Sequence, residues 1–216
     1  MTADVRLLER LIRHQIQIQR LASGQAKKAL PILRALAKDL RKRIQAGDAT
    51  EFQLGRMTAL EADIRLIVTN AVTDIQGELD LEDFAKQEVA FTQTLLGAAV
   101  SVDLAQGANV DMIAASVTRK QMTLVSGDTI KRLTIREAFD EFAGAVALDA
   151  MRVVQAGVIE GRTQSQMSRG VAELVSTRSR RQAEAVVRTA TNFIGNTARN
   201  DVYVANADIL EGERVV

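Results

Sequence analysis

The sequence has a single proline, Pro31, in 216 residues, so it contains very few residues that must interrupt a long backbone-bonded element. Hydrophobic residues make up 47% of the chain and aromatic residues only 3%, which leaves Ala, Val, Leu and Ile to fill the core. The abundance of alanine, glutamine, arginine and glutamate favours helix over strand. We therefore predict a mostly α-helical protein.

Apolar residues recur at helical spacing, and capping residues divide the chain into segments. Asp48 and Asn109 can cap helix starts, and Thr163 and Gln166 have the spacing of a capping box. Helices are predicted to end near Gly107 and at Gly157. Pro31 predicts a kink or a fresh start within the first segment. The closing ADILEGERVV looks extended, with a turn at Glu211–Gly212. Short connectors and many caps predict an elongated multi-helix bundle with long helices and a short extended C-terminal tail. The predicted helices span approximately residues 4–46, 48–76, 80–107, 112–122, 134–157, 163–175 and 179–205.

A change of pattern near residues 107–127 predicts the domain organisation. Residues 1–107 would form an N-terminal helical arm, and residues 108–127 a connecting short helix and a turn at Ser126–Gly127–Asp128. Residues 128–216 would form a second helical domain.

Counts of reactive residues argue against catalysis. The absence of cysteine excludes disulfides, thiolate zinc sites and cysteine nucleophiles for this sequence. The one histidine, His14, lies on a helix flank, where it is interpreted as a solvated or packing residue rather than part of a Ser-His-Asp relay. No phosphate-binding loop, dinucleotide fingerprint, HExxH or EF-hand pattern is present. We predict a protein that is not an enzyme, with no catalytic, cofactor-binding or metal-binding residues and no cofactor.

Targeting features are also missing from the sequence. The first residues carry charges among their apolar positions, unlike a signal peptide. The longest uncharged run, Val89–Val102, is shorter than the roughly 20 residues of a spanning helix. We predict no membrane segment and a protein that is made in the cytoplasm of its host.

Charge is unevenly distributed although the formal net charge is only +1. Acidic residues dominate from Asp74 to Glu88, and basic residues dominate an earlier stretch. Such a basic stretch can hold DNA phosphates or a protein partner, and it can equally be an ordinary solvated helix face. The basic residues in question are Lys27, Lys28, Arg34, Lys38, Arg41, Lys42 and Arg43.

The last part of the chain, from about residue 125 to 216, resembles the phage head-morphogenesis family, the minor head proteins similar to the phage Mu F protein. In that family a turn of the form I-x-x-G-x-[ST] introduces a short helix. A helix with A-x-x-[IV]-x-R-T and then N-x-A-R-x-x-x-Y follows, and a strand comes last. The corresponding residues here are Ile159, Gly161 or its neighbours, Thr163, Ala185, Val187, Arg188, Thr189, Asn196, Ala198, Arg199 and Tyr203, although the Ile159–Gly161 and Ala185–Arg188 spacings are shorter than in the family patterns.

The resemblance implies a structural or partner-contact role for five of these residues. Arg188 could brace the C-terminal strand by donating to backbone carbonyls or to Asp208, and a nucleic-acid contact is the alternative. The family strand often ends in Trp-Val, where this chain has Arg214 before two valines. Family members commonly continue past the strand, so we expect the native protein to extend beyond Val216. The five residues are Arg188, Thr189, Asn196, Arg199 and Tyr203.

The resemblance implies a minor structural protein of a tailed-bacteriophage virion that acts in head assembly at or near the portal. Its partners would be the portal protein, the major capsid protein or both, and packaged DNA, with several copies in the capsid interior or at the portal vertex. The alternative is an internal virion protein that binds DNA or acts in its ejection. A catalytic or toxin-related role has the least support, because no catalytic constellation is present.

Overall fold

The structure, a computed structural model, describes residues 3–46, 54–100, 109–126 and 129–207. It is 87% helical, which confirms the predicted mostly α fold. The predicted features at Asp48, Gly107, Gly127–Asp128 and the C-terminal tail from residue 208 lie outside the described residues. The helices are α1 (Ala3–Ala46), α2 (Leu54–Gly77), α3 (Leu81–Val100), α4 (Val110–Val117), α5 (Ile135–Ile159), α6 (Gln164–Leu174) and α7 (Arg180–Ala205), with a π-helical turn (Val175–Ser179) between α6 and α7.

Helix α1 continues through Pro31, so a fresh start at this residue is wrong, and the alternative of a kink stays a prediction. A proline within a helix costs about 3 kcal/mol, because one backbone hydrogen bond is lost and the ring crowds the preceding turn. The burial of Leu33, Leu36 and Leu40 immediately after it offsets that cost. Pro31 itself is exposed, so its ring displaces no core side chain.

The predicted helix over 112–122 is too long, because α4 ends at Val117 and Met122 begins a strand. Strands β1 (Met122–Ser126) and β2 (Thr129–Leu133) form an antiparallel hairpin that sequence reasoning missed. Met122 is only 1% exposed, so its burial anchors one face of the hairpin. At the start of α4, Asn109 accepts a hydrogen bond from the Met112 amide at 3.1 Å, as its position before the helix predicts.

The predicted end of the fifth helix at Gly157 is wrong, because α5 continues to Ile159 and is closed by Gly161. Gly161 has a φ of 67°, and its amide donates to the Val158 carbonyl at 3.1 Å. The next amide, of Arg162, donates to the Gly157 carbonyl at 2.8 Å, which completes a Schellman motif. Thr163 then caps α6, and its reciprocal hydrogen bonds with Gln166 confirm the predicted capping box.

Gly157 allows α5 and α6 to approach each other closely. A Cβ atom at this position would lie 2.4 Å from Cγ and 2.8 Å from Sδ of Met167 on α6. Met167 is 1% exposed, so it has no room to withdraw. The glycine therefore belongs to the packing of α5 against α6 and does not terminate α5.

The described residues form two compact units, each with its own core. The first unit draws on residues up to Gly24, from Asp80 to Ile135 and from Arg188 onward. Its buried side chains include Ile18, Phe84, Val89, Ile194 and Val202.

The second unit draws on residues Gln25–Leu79 and Arg136–Val187. Its buried side chains include Ile64 and Ile75 of α2 and Phe139 and Val154 of α5. Each unit is built from two or three separate stretches of the chain. The predicted domains, by contrast, are continuous stretches that meet near residues 107–127, and this division stays a prediction.

Two glycines that both have open space around a Cβ position should respond oppositely to substitution by alanine. Gly161→Ala should lower the free energy of unfolding by about 1–2 kcal/mol, because an L residue is strained at positive φ. Gly144→Ala, within α5, should raise it by about 0.5–1 kcal/mol, because alanine loses less backbone entropy in a helix. Urea unfolding followed by circular dichroism measures both. A shift of the same sign in the two variants would refute the proposed role of Gly161.

Candidate functional site

A buried polar cluster lies in the first unit, formed by His14 of α1, Glu88 of α3 and Arg199 of α7. Nε2 of His14 lies 2.8 Å from Oε1 and 3.0 Å from Oε2 of Glu88. Nη2 of Arg199 lies 3.7 Å from Oε2 of the same carboxylate. Glu88 is only 2% exposed, so its charge is almost fully removed from water. We call these three residues the His14–Glu88–Arg199 cluster.

Neighbouring side chains fix the cluster in place. The His14 ring stacks on Phe91, with a centroid separation of 3.5 Å and an interplanar angle of 13°. Thr92 donates its hydroxyl to the Glu88 carbonyl at 2.8 Å, within α3. On α7, a Cβ atom at Gly195 would lie 3.4 Å from the Phe84 ring, an ordinary van der Waals distance, so α7 packs against α3 one turn before Arg199. The geometry therefore holds α1, α3 and α7 together around one carboxylate.

A buried carboxylate is costly unless a cation and hydrogen bonds compensate it. Glu88 receives this compensation from His14 and Arg199, whose side chains are 12% and 21% exposed. Nε of Arg199 is buried and has no hydrogen-bond partner among the described residues, so the compensation is incomplete. Because its three side chains come from three helices and are mostly buried, the cluster is suited to holding helices together.

The signal for this cluster was present in the sequence but was not recognised. Phe84, Phe91 and Leu95 recur at helical spacing in the third predicted helix, and Glu88 lies on the same stripe at positions i+4 from Phe84 and i−3 from Phe91. Phe84, Glu88 and Leu95 are buried, and Phe91 is half-buried. A carboxylate on an otherwise apolar helix stripe predicts that a buried cation lies next to it. The interpretation of His14 as a packing residue agrees with its stacking but omits its bond to Glu88.

The five residues of the family motif are distributed along α7 rather than gathered into one site. Arg199 joins the cluster, Thr189 and Tyr203 are half-buried, and Arg188 and Asn196 are exposed. Within the described residues Arg188 has no ion pair. Its predicted bracing of the C-terminal strand involves residues from 208 onward, outside the described ranges, and stays a prediction.

The predicted basic stretch lies in the part of α1 that belongs to the second unit. Two of its residues form hydrogen bonds with other parts of that unit. Nε of Arg43 lies 2.7 Å from Oδ2 of Asp63, and Lys28 donates to the Glu78 carbonyl at 3.0 Å. The other five side chains are exposed and have no ion pair with described residues. Lys27, Arg34, Lys38 and Lys42 follow one another after seven, four and four residues, and Arg41 comes three residues after Lys38, so all five lie along one side of the helix. We call this set the basic face: Lys27, Arg34, Lys38, Arg41 and Lys42.

A second ionic contact in the first unit joins α3 to the start of α4. Nζ of Lys86 lies 3.1 Å from Oδ1 of Asp111 and 3.3 Å from Oε1 of Glu82. The hydrogen bond with Asp111, followed by the one with Glu82, raises the pKa of Lys86 above its ordinary value of 10.5. The ammonium group is therefore charged at neutral pH, but its exposure to water keeps its contribution to stability small.

Two further features of the described residues bear on possible sites. Helix α5 is long and apolar enough to span a membrane by length and composition, which weakly opposes the expectation of no membrane segment. Phe139, Phe142 and Val154 of α5 are buried in the second unit, as in the core helix of a globular protein. No group of three or more His, Asp or Glu side chains suited to a metal ion occurs in the described part of the chain.

Comparison of the chain with family models, curated proteins and solved structures finds no match. The resemblance of residues 125–216 to the phage head-morphogenesis family therefore depends on the quoted motifs alone. The function that it implies stays a prediction.

Replacement of Glu88 by glutamine tests the cluster. It should lower the free energy of unfolding by about 3 kcal/mol, the lower end for a broken buried ion pair, since Arg199 keeps some contact with water. Glu82→Gln, on the exposed start of the same helix, should leave it nearly unchanged, because the ion pair of Glu82 with Lys86 is exposed to water. Chemical unfolding measures both variants. Equal stability of the two variants would contradict a structural role for Glu88.

Proposed function

We propose that the chain is a minor structural protein of a tailed-bacteriophage virion that acts in head assembly at or near the portal, without catalysis. The observation that carries this proposal is the junction between α5 and α6. There Gly161 adopts the left-handed conformation and Thr163 caps the following helix, at the two positions where the family motif has Gly and Ser or Thr. These motif residues have definite structural tasks, as expected of a shared fold element.

The arrangement of the first unit supports a scaffolding mechanism. The His14–Glu88–Arg199 cluster joins three helices at one carboxylate. A unit stabilised in this way presents its outer helix faces in fixed positions, which is what docking on a portal or major capsid protein requires. Several copies would act together at the portal vertex or on the inner capsid surface.

The alternative, an internal virion protein that binds DNA or acts in its ejection, is favoured by the basic face. Its five exposed cations extend from Lys27 to Lys42, which at 1.5 Å per residue is about 22 Å along the helix. Cations spaced along such a length can contact several phosphates of a duplex and release their counterions.

Cross-linking of purified heads with mass spectrometry distinguishes the two proposals. The assembly role predicts cross-links from exposed lysines, such as Lys38 and Lys42, to the portal or the major capsid protein. Cross-links to DNA without any to these proteins would favour the alternative. Absence of the chain from purified heads would contradict both.

Salt-dependent binding to duplex DNA tests the basic face. The triple variant Lys38→Gln, Arg41→Gln, Lys42→Gln should bind more weakly, and its log–log salt slope should fall by about 0.9 for each lost phosphate contact. The matched control replaces Arg136, Arg169 and Arg181 by glutamine, three exposed arginines on other helices of the same unit. Equal losses in the two triple variants would show that only net charge matters.

A further inference from the structure

A row of apolar side chains on α1 faces solvent in the first unit. Val5 is 48% exposed, Leu8 58%, Ile12 53% and Ile16 47%. They follow one another after three, four and four residues, so they share one side of the helix. We call these four residues the apolar row.

The other side of the same segment is already occupied. Ile18 is 3% exposed and Ala22 is 1% exposed, so this side is buried in the core of the first unit. Segment 5–22 of α1 therefore has two apolar sides, of which the described residues bury only one. An amphipathic surface helix needs one apolar side, so the second requires its own explanation.

Arginines line the solvent edge of the apolar row. Arg6, Arg13 and Arg20 recur every seven residues and are all exposed, and Arg10 lies beside them. Nη2 of Arg13 is paired with Glu9. Arg6, Arg10 and Arg20 have no ion pair within the part of the chain that the structure describes.

We infer that the apolar row and its arginines form a docking site for an amphipathic helix of a partner protein whose apolar stripe is bordered by acidic side chains. Anchors three and four residues apart match the way in which one helix packs against another. Carboxylates along the edge of the partner helix would pair with Arg6, Arg10 and Arg20. This inference stands apart from the virion role and does not rest on it.

The charges on the segment disfavour a second copy as the occupant. Residues 5–20 contain four arginines and one glutamate, so two copies of the row would bring like charges together. Like-charge contacts across an interface oppose association.

A membrane surface is disfavoured on different grounds. The described residues of α1 contain no Phe, Tyr or Trp, which interfacial helices use as anchors. In addition, the burial of Ile18 and Ala22 prevents the helix from sinking into a bilayer without unfolding the first unit.

Binding of a labelled synthetic peptide to the full chain, measured by fluorescence anisotropy, tests the inference. The peptide is a 21-residue helix with Leu and Ile at heptad positions a and d and Glu at e and g. It should bind, and binding should weaken as salt is added, because the arginines are exposed. Ile12→Ser should weaken binding about tenfold, since a half-exposed isoleucine would lose the burial that the partner provides. Its unfolding midpoint should change little.

Matched variants separate the two contributions. Leu66→Ser, at a leucine that is 60% exposed on α2, should bind as the parent does. The double variant Arg6→Gln, Arg20→Gln should bind more weakly and with a flatter salt dependence.

Three outcomes would overturn the inference. A peptide with Lys in place of Glu could bind as tightly as the acidic one. The chain could form dimers in sedimentation experiments that Ile12→Ser dissociates, which would identify a second copy as the occupant. It could bind phosphatidylglycerol vesicles through Ile12 and ignore the peptide, which would identify a membrane.

Discussion

The first unit is organised around a single buried charge, the carboxylate of Glu88. A charge removed from water in this way must be met by cations and donors, and these come from two other helices, at His14 and Arg199. This requirement fixes the rotation of α1 and α7 about their own axes, because each must direct one polar residue toward the same point. Nonspecific apolar packing of alanine and valine would allow several rotations. The polar cluster gives a core poor in aromatic residues a defined arrangement.

In the second unit, close helix packing fixes how the helices are arranged. Small residues let helices approach, as at Gly157, where Met167 occupies the space that a Cβ atom would need. The chain then reverses within a few residues, because Gly161 closes one helix and Thr163 starts the next. Local turn chemistry and close approach thus act together in setting the position of α6 against α5.

Helix α1 has a different exposed surface in each of the two units. In the second unit its exposed side carries the basic face, which suits phosphates or an acidic protein surface. In the first unit its exposed side carries the apolar row with an arginine edge. Both surfaces are positively charged although the whole chain is nearly neutral, which favours binding to acidic partners.

The sequence by itself determined the features that depend on neighbouring residues. Helical spacing and the scarcity of proline predicted the mostly α fold, and local hydrogen bonds at Asn109 and between Thr163 and Gln166 set helix starts as predicted. Tertiary structure decided the rest, because the partners are distant in the chain. His14 and Glu88 are 74 residues apart, and no local sequence pattern predicts that their side chains are in contact. The helix continues through Pro31, and Gly157 lies within α5, because packing against other segments outweighs the local preference of either residue to end a helix.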